Sequence, residues 1–117
     1  IKINFKPTER YIITNDKWFV FVLEQLISNA LKYTKKGQIS IYMKEKSLVI
    51  EDTGIGIPAE DLPRIFEKGF TGYNGRENKK STGIGLYLCK NIMDKLQWNI
   101  TVDSEVGSGT KIYLTKM

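Results

Sequence analysis

The chain has 117 residues, 41% of them hydrophobic and 11% aromatic, with 18 Lys and Arg against 13 Asp and Glu for a formal charge of +5. That length fits a single domain, residues 1–117, since domains centre on about 100–150 residues, and the apolar content is enough for a real core. The positive balance suits a polyanion partner and plain solubility equally, and so decides nothing alone.

The first residue is Ile1 rather than Met and no signal-peptide pattern follows, so an internal segment of a longer protein is expected. Ile1, Ile3 and Phe5 alternate with polar residues up to Pro7, and Tyr11 to Thr14 is a second short β-branched run; both read as strands. Thr14, Asn15 and Asp16 then offer capping oxygens to a helix with an apolar stripe of Phe19, Val22, Leu23, Leu26, Ile27, Ala30 and Leu31. It is expected to run to about Thr34, with Gly37 as a stop. Its most apolar stretch, Trp18 to Leu23, is broken by Glu24 and Gln25, short of the ~20 residues a membrane helix needs. No direct membrane contact is expected.

Ile39, Ile41 and Met43 alternate with polar residues, and Leu48 to Ile50 follows after Glu45 to Ser47, which makes a hairpin. Glu60 to Phe66 reads as a short helix after Pro58, and Lys68 to Thr82, rich in Gly, Lys, Asn and Ser, as a mobile loop. Gly83 to Leu96 returns to helix with Ile84, Leu88, Ile92 and Leu96 on one face; within it Cys89, the only cysteine, has no disulfide partner and reads as a small core residue in a reducing compartment. Asn99 to Asp103 and Thr110 to Thr115 close the chain as a strand pair. The expected fold is an α+β two-layer sandwich, a mixed β-sheet packed against about three helices.

Three features carry chemistry. Asp52-Thr53-Gly54-Ile55-Gly56-Ile57-Pro58 stands at a strand end, where paired glycines let the backbone approach a bound ring or phosphate; a plain Gly-rich turn capped by aspartate explains it equally well in isolation. Gly83 and Gly85 open a helix, which puts free backbone donors and the positive dipole end where phosphate can rest. Asn29 sits inside the first helix, where its side chain competes with the backbone and needs a reason to be there. Its amide oxygen suits Mg²⁺ beside nucleotide phosphates. Gln25 lies on the same face one turn earlier; Lys32 suits a phosphate and Tyr33 a flanking base.

In this order the segments resemble the GHKL superfamily of ATP-binding domains: histidine kinases, gyrase-type topoisomerases, Hsp90 chaperones and MutL-type repair proteins. Ser28 to Tyr33 is similar to the N box, Asp52 to Ile57 to the G1 box, Ile65-Phe66-Glu67 to the start of the F box, Thr82 to Leu86 to the G2 box and Glu105 to Thr110 to the closing G-x-G-T segment. The resemblance implies the Bergerat fold and a mobile ATP lid over about 68–82. It implies that Asp52 accepts a hydrogen bond from the adenine amine, Thr110 supports it through water, and Asn29, with Gln25 beside it, holds Mg²⁺. Gly54, Gly56 and Ile57 would line the base pocket, with Tyr33 against adenine. Thr82, Gly83, Gly85 and Leu86 would border the phosphates and Lys32 would contact them; Arg76, in the lid, is a further candidate to stabilise charge on the γ-phosphate during transfer, or else part of a solvated charge run.

Water-activating members place a glutamate one turn before the Mg²⁺ asparagine; here it is Gln25, and an amide takes no proton. Glu24 is rotated by roughly 100° from that face. A histidine kinase is therefore implied, although the family commonly has Asn where this chain has Gln25. The chain contains no histidine, so the acceptor would lie on a separate dimerisation domain, with the fragment itself monomeric, the full-length protein a homodimer at the plasma membrane, this domain on its cytoplasmic side, and a response regulator downstream. Ser81 replaces a glycine common in the G2 box. Gly69-Phe70-Thr71-Gly72-Tyr73-Asn74-Gly75-Arg76 is similar to the lid of intramembrane-sensing kinases of Gram-positive bacteria, which answer cell-envelope-active peptides; Lys79 and Lys80 follow it as further phosphate candidates or as a solvated charge run. The rivals are a GHKL-type ATPase, which would release phosphate unaided, and a nucleotide-gated interaction module without transfer. Nucleic acid is not expected, because much of the aromatic content has core spacing.

Overall fold

A computed structural model describes residues 2–5, 17–34, 36–70 and 85–116. Five strands, β1 (Lys2–Phe5), β2 (Gln38–Lys44), β3 (Ser47–Asp52), β4 (Trp98–Glu105) and β5 (Gly109–Lys116), form one sheet in the order β1-β2-β3-β5-β4. β1 runs parallel to β2 and every other pairing is antiparallel, so the sheet is mixed as expected. Two helices, α1 (Lys17–Tyr33) and α2 (Gly85–Lys95), pack on each other, α1 against β3 and α2 against β4. Helices on one side of a sheet make the α+β two-layer architecture that the sequence implies.

α1 buries Phe19, Val22, Leu26 and Ala30, the spacing of three and four that a 3.6-residue period puts on one face. Leu31, expected in that stripe, is 41% exposed; it follows Ala30 by one residue and so points roughly 100° away from the buried line. Of the face expected for the second helix, Ile92 and Leu96 pack against the core, Ile84 lies outside the described residues, and Leu88 departs from it. α2 turns Cys89 and Met93 fully inward, with Leu86 and Leu96 packed against the core, while Leu88 is 37% exposed. Cys89 Sγ lies 4.0 Å from the Val22 carbonyl oxygen, a close approach of α2 to α1 that a leucine at the contact would prevent. Burial pushes this thiol up to about 12.

The helix expected over Glu60 to Phe66 is a single 3-10 turn, Leu62–Arg64, in a string of tight turns. Pro63 removes the N–H that an α-helix would use there. The expected strand at Tyr11 to Thr14, the caps Thr14, Asn15 and Asp16, and lid residues 71–82 lie outside the described residues.

Alternation along the strands positions the site. The core-facing residues of β3 are Leu48 and Ile50, those of β5 are Leu114 and Ile112, and those of β4 are Ile100 and Val102; in register they make rows Leu48–Leu114–Ile100 and Ile50–Ile112–Val102. The next row on the same face is Asp52–Thr110–Ser104. The apolar core thus ends in a polar row. The other face carries Lys111 paired across strands to Glu51 at 3.4 Å, and also a wholly buried Val49 flanked in register by Tyr42 and Tyr113.

Candidate functional site

Asp52 is the last residue of β3 and half-buried. Burial raises its pKa above the ordinary carboxyl value, opposed by backbone donors at Gly54 and Thr110 and by the nearby Thr34 hydroxyl. The Gly54 N–H donates to Asp52 Oδ1 at 2.8 Å. A carboxylate held at the edge of a core by backbone donors is a ready acceptor for an N–H of a bound molecule.

The turn after Asp52 is tied down on three sides. The Thr53 N–H donates to the Gln38 carbonyl oxygen at 3.1 Å, the Ile55 N–H to the Tyr33 carbonyl oxygen at 3.2 Å, and the Gly107 N–H to the Ile55 carbonyl oxygen at 3.0 Å. The end of α1, the turn and the β4–β5 connection therefore form one unit. Gly56 has φ +78° and presses on the Glu105 backbone, where a Cβ has no space. Gly109, at φ +121°, lies against the Asp52 carbonyl. Gly54 backs onto the Tyr33 carbonyl oxygen, with Asp52 Oδ1 and Thr34 Oγ1 each 2.9 Å from where its Cβ would stand.

Ser104 Oγ accepts the Ile57 N–H at 2.8 Å, donates to the Gly109 carbonyl oxygen at 2.9 Å and lies 2.8 Å from Thr110 Oγ1. A hydroxyl has one proton, so with that proton on Gly109 the Thr110 hydroxyl donates to Ser104 and keeps its lone pairs for the site. Ser104 thus couples the second half of the glycine turn to the polar row.

On α1, Gln25 and Asn29 are half-buried one turn apart. Gln25 Oε1 lies 3.2 Å from where a Cβ on Gly85 would stand, so the side chain reaches the first residue of α2. Lys32 Nζ lies 5.7 Å from the centroid of the Tyr33 ring. Leu86 packs against the core from the first turn of α2. Among the described residues no three His, Cys, Asp or Glu side chains cluster to hold an ion. Neutral amide oxygens at Gln25 and Asn29 fit an ion such as Mg²⁺, which takes one or two protein oxygens and leaves charge balance to phosphates. Arg76, Thr82 and Gly83 lie outside the described residues.

Two residues escape a reading of the sequence. Ser104 shows no motif; only strand alternation together with the β4–β5 register puts it beside Thr110. Thr34 reads as a helix end, yet it is 0% exposed and its Oγ1 has no partner of hydrogen-bond geometry among the described residues. The same hydroxyl is one of the groups that oppose the rise in the Asp52 pKa. A buried hydroxyl left unpaired costs about 1–3 kcal/mol.

Residues 14–117 match the histidine kinase-, DNA gyrase B- and HSP90-like ATPases, and the chain belongs to that family. Among curated relatives it is 39% identical over 118 residues to "Sensor histidine kinase YxdK" of Bacillus subtilis (strain 168), covering 93% of this chain and 36% of that protein. It is 44% identical over 108 residues to "Sensor protein BceS" of Halalkalibacterium halodurans, covering 89% and 32%. It is 40% identical over 116 residues to "Sensor protein kinase GraS" of Staphylococcus aureus (strain JH1), covering 96% and 33%. The chain spans about a third of the length of these relatives. The solved "Mycobacterial sensor histidine kinase MprB" shares its fold with a TM-score of 0.77 at 24% identity, over 97% of this chain and 79% of that one. Full-length ShkA in complex with AMPPNP gives 0.75 at 19% identity, over 99% and 26%.

Proposed function

We propose that this chain binds Mg²⁺-ATP and donates the γ-phosphate to a histidine on a separate dimerisation domain, as the catalytic domain of a sensor histidine kinase. The observation that carries the reading is the polar row Asp52–Thr110–Ser104 at the end of the core, facing a glycine turn that only small residues can form. Asp52 would accept the adenine amine, Gly54, Gly56 and Ile57 would pack against the base, and Tyr33 would flank it. Asn29, with Gln25 beside it, would hold Mg²⁺, which when bound draws negative charge off the phosphates. Thr82, Gly83, Gly85 and Leu86 would border the phosphates.

Phosphoryl transfer needs positioning and charge neutralisation more than covalent help. In the reaction a nitrogen of the acceptor imidazole forms a bond to the γ-phosphorus as the bond to the bridging oxygen breaks, and ADP leaves with the electron pair. Lys32 and Arg76 are the residues proposed to offset the charge that develops. Gln25, an amide where a base would activate water, keeps the nucleotide for the histidine rather than for hydrolysis. The acceptor hairpin, a response regulator, dimerisation of the full-length protein and a cytoplasmic position beneath the plasma membrane belong to the same proposal. So does the stimulus class suggested by the lid sequence, cell-envelope-active peptides. Among the described residues no helix is long and apolar enough to cross a membrane.

The test is calorimetric titration of AMPPNP with Mg²⁺ into the chain, then addition of radiolabelled ATP together with a histidine-bearing hairpin. Saturable binding followed by label on the hairpin is the expected result. A folded chain that binds no nucleotide overturns the reading; binding without transfer reduces it to a nucleotide-gated module.

A further inference from the structure

Thr34 follows the last residue of α1 and is wholly buried, yet its hydroxyl is unpaired among the described residues. A valine has the same shape and brings no hydroxyl to desolvate, so packing alone gives no reason for threonine here. Its location does. Thr34 Oγ1 and Asp52 Oδ1 converge on one spot above Gly54, each 2.9 Å from it, and the Tyr33 carbonyl oxygen closes the remaining side. A side chain at residue 54 would occupy that spot; glycine leaves the space between the two oxygens open.

Asp52 Oδ1 already takes the Gly54 N–H at 2.8 Å. A further donor on the same oxygen would restrain the rotation of the carboxylate and leave Oδ2 to a ligand. Thr34 is the side chain placed to supply that donor, because its proton has no other partner among the described residues. We propose that Thr34 is a positioning residue for base recognition: its hydroxyl proton holds Asp52 Oδ1 from the buried side, so that Oδ2 accepts the 6-amino group of an adenine nucleotide. This rests on the nucleotide-binding reading above, and it makes Thr34 a determinant of which purine is chosen.

The test compares ADP with its analogue lacking the 6-amino group, titrated with Mg²⁺ into the wild-type chain, Thr34→Val and Thr34→Ser. The wild type should prefer ADP by about tenfold or more. Thr34→Val should weaken ADP by about 3- to 10-fold while leaving the analogue unchanged, and Thr34→Ser, which keeps the hydroxyl, should restore the preference. A structural role alone would weaken both nucleotides equally; that result, or an unchanged preference in Thr34→Val, overturns the proposal. Should Thr34→Val not fold, Thr34→Ala is judged by the same ratio, and loss of the preference in Thr34→Ser overturns the proposal independently. A folded wild type that binds neither nucleotide removes the nucleotide reading itself, whereas a wild type that prefers ADP with variants that do likewise removes only the role of Thr34.

Discussion

Replacing Asp52 by asparagine should move binding and stability in opposite directions. A hydrogen bond to a charged acceptor contributes about 1.5–3 kcal/mol, and Asp52→Asn removes that charge, so ATP affinity should fall about 10- to 150-fold. Stability follows the other sign. Burial raises the Asp52 pKa, so the folded chain prefers the protonated acid; that contribution is complete below the unfolded-state value and is lost as pH rises through the raised folded-state value. At neutral pH the wild type holds a partly desolvated anion that Asp52→Asn does not have, while the amide oxygen can still accept the Gly54 N–H. The thermal midpoint of Asp52→Asn should therefore equal or exceed that of the wild type at neutral pH and lose this advantage in acid. Calorimetric titration and thermal unfolding across pH measure both. A variant that binds ATP like the wild type, or one less stable at neutral pH, would show that Asp52 is a structural carboxylate and refute the reasoning.

Gly109→Ala, at φ +121° against the Asp52 carbonyl, should destabilise the fold by about 2 kcal/mol or more in urea unfolding; a loss within error would mean the β5 start adapts freely. Gln25→Glu places a carboxylate where water-activating relatives have one, and should raise phosphate release from ATP by the chain alone; an unchanged rate would show that the side chain at that place does not limit hydrolysis. Cys89, buried and with its thiol pushed up to about 12, should resist alkylation in the native chain at neutral pH and react once urea unfolds it. Rapid native labelling would contradict the packing of α2 on α1.

Local periodicity made the long elements legible. The stripe through Phe19, Val22, Leu26 and Ala30, the hairpin of β2 and β3, and the closing pair β4 and β5 all stand where the pattern puts them. Periodicity fixes a repeat and leaves its phase open, which is why Leu31 and Leu88 were assigned to buried faces that they miss by one residue. Pro63 stopped a helix that apolar spacing alone suggested. Asp52, Gly54, Gly56 and Thr110 were legible as motifs because their chemistry is local. Ser104 and Thr34 were not, since their role arises from pairing across the sheet and from the approach of the α1 end to the glycine turn, neither of which a linear pattern encodes.

The row Asp52–Thr110–Ser104 continues the same ladder that builds the core, so its placement cannot drift apart from the fold. A slip of one residue between β5 and β3 would carry Lys111 to the core face and Ile112 to the opposite face, and would remove Thr110 from Asp52 in the same motion. The fold thereby proofreads the site against a one-residue slip: a chain that pairs β5 with β3 one residue out of register loses the acceptor row and the packed core together.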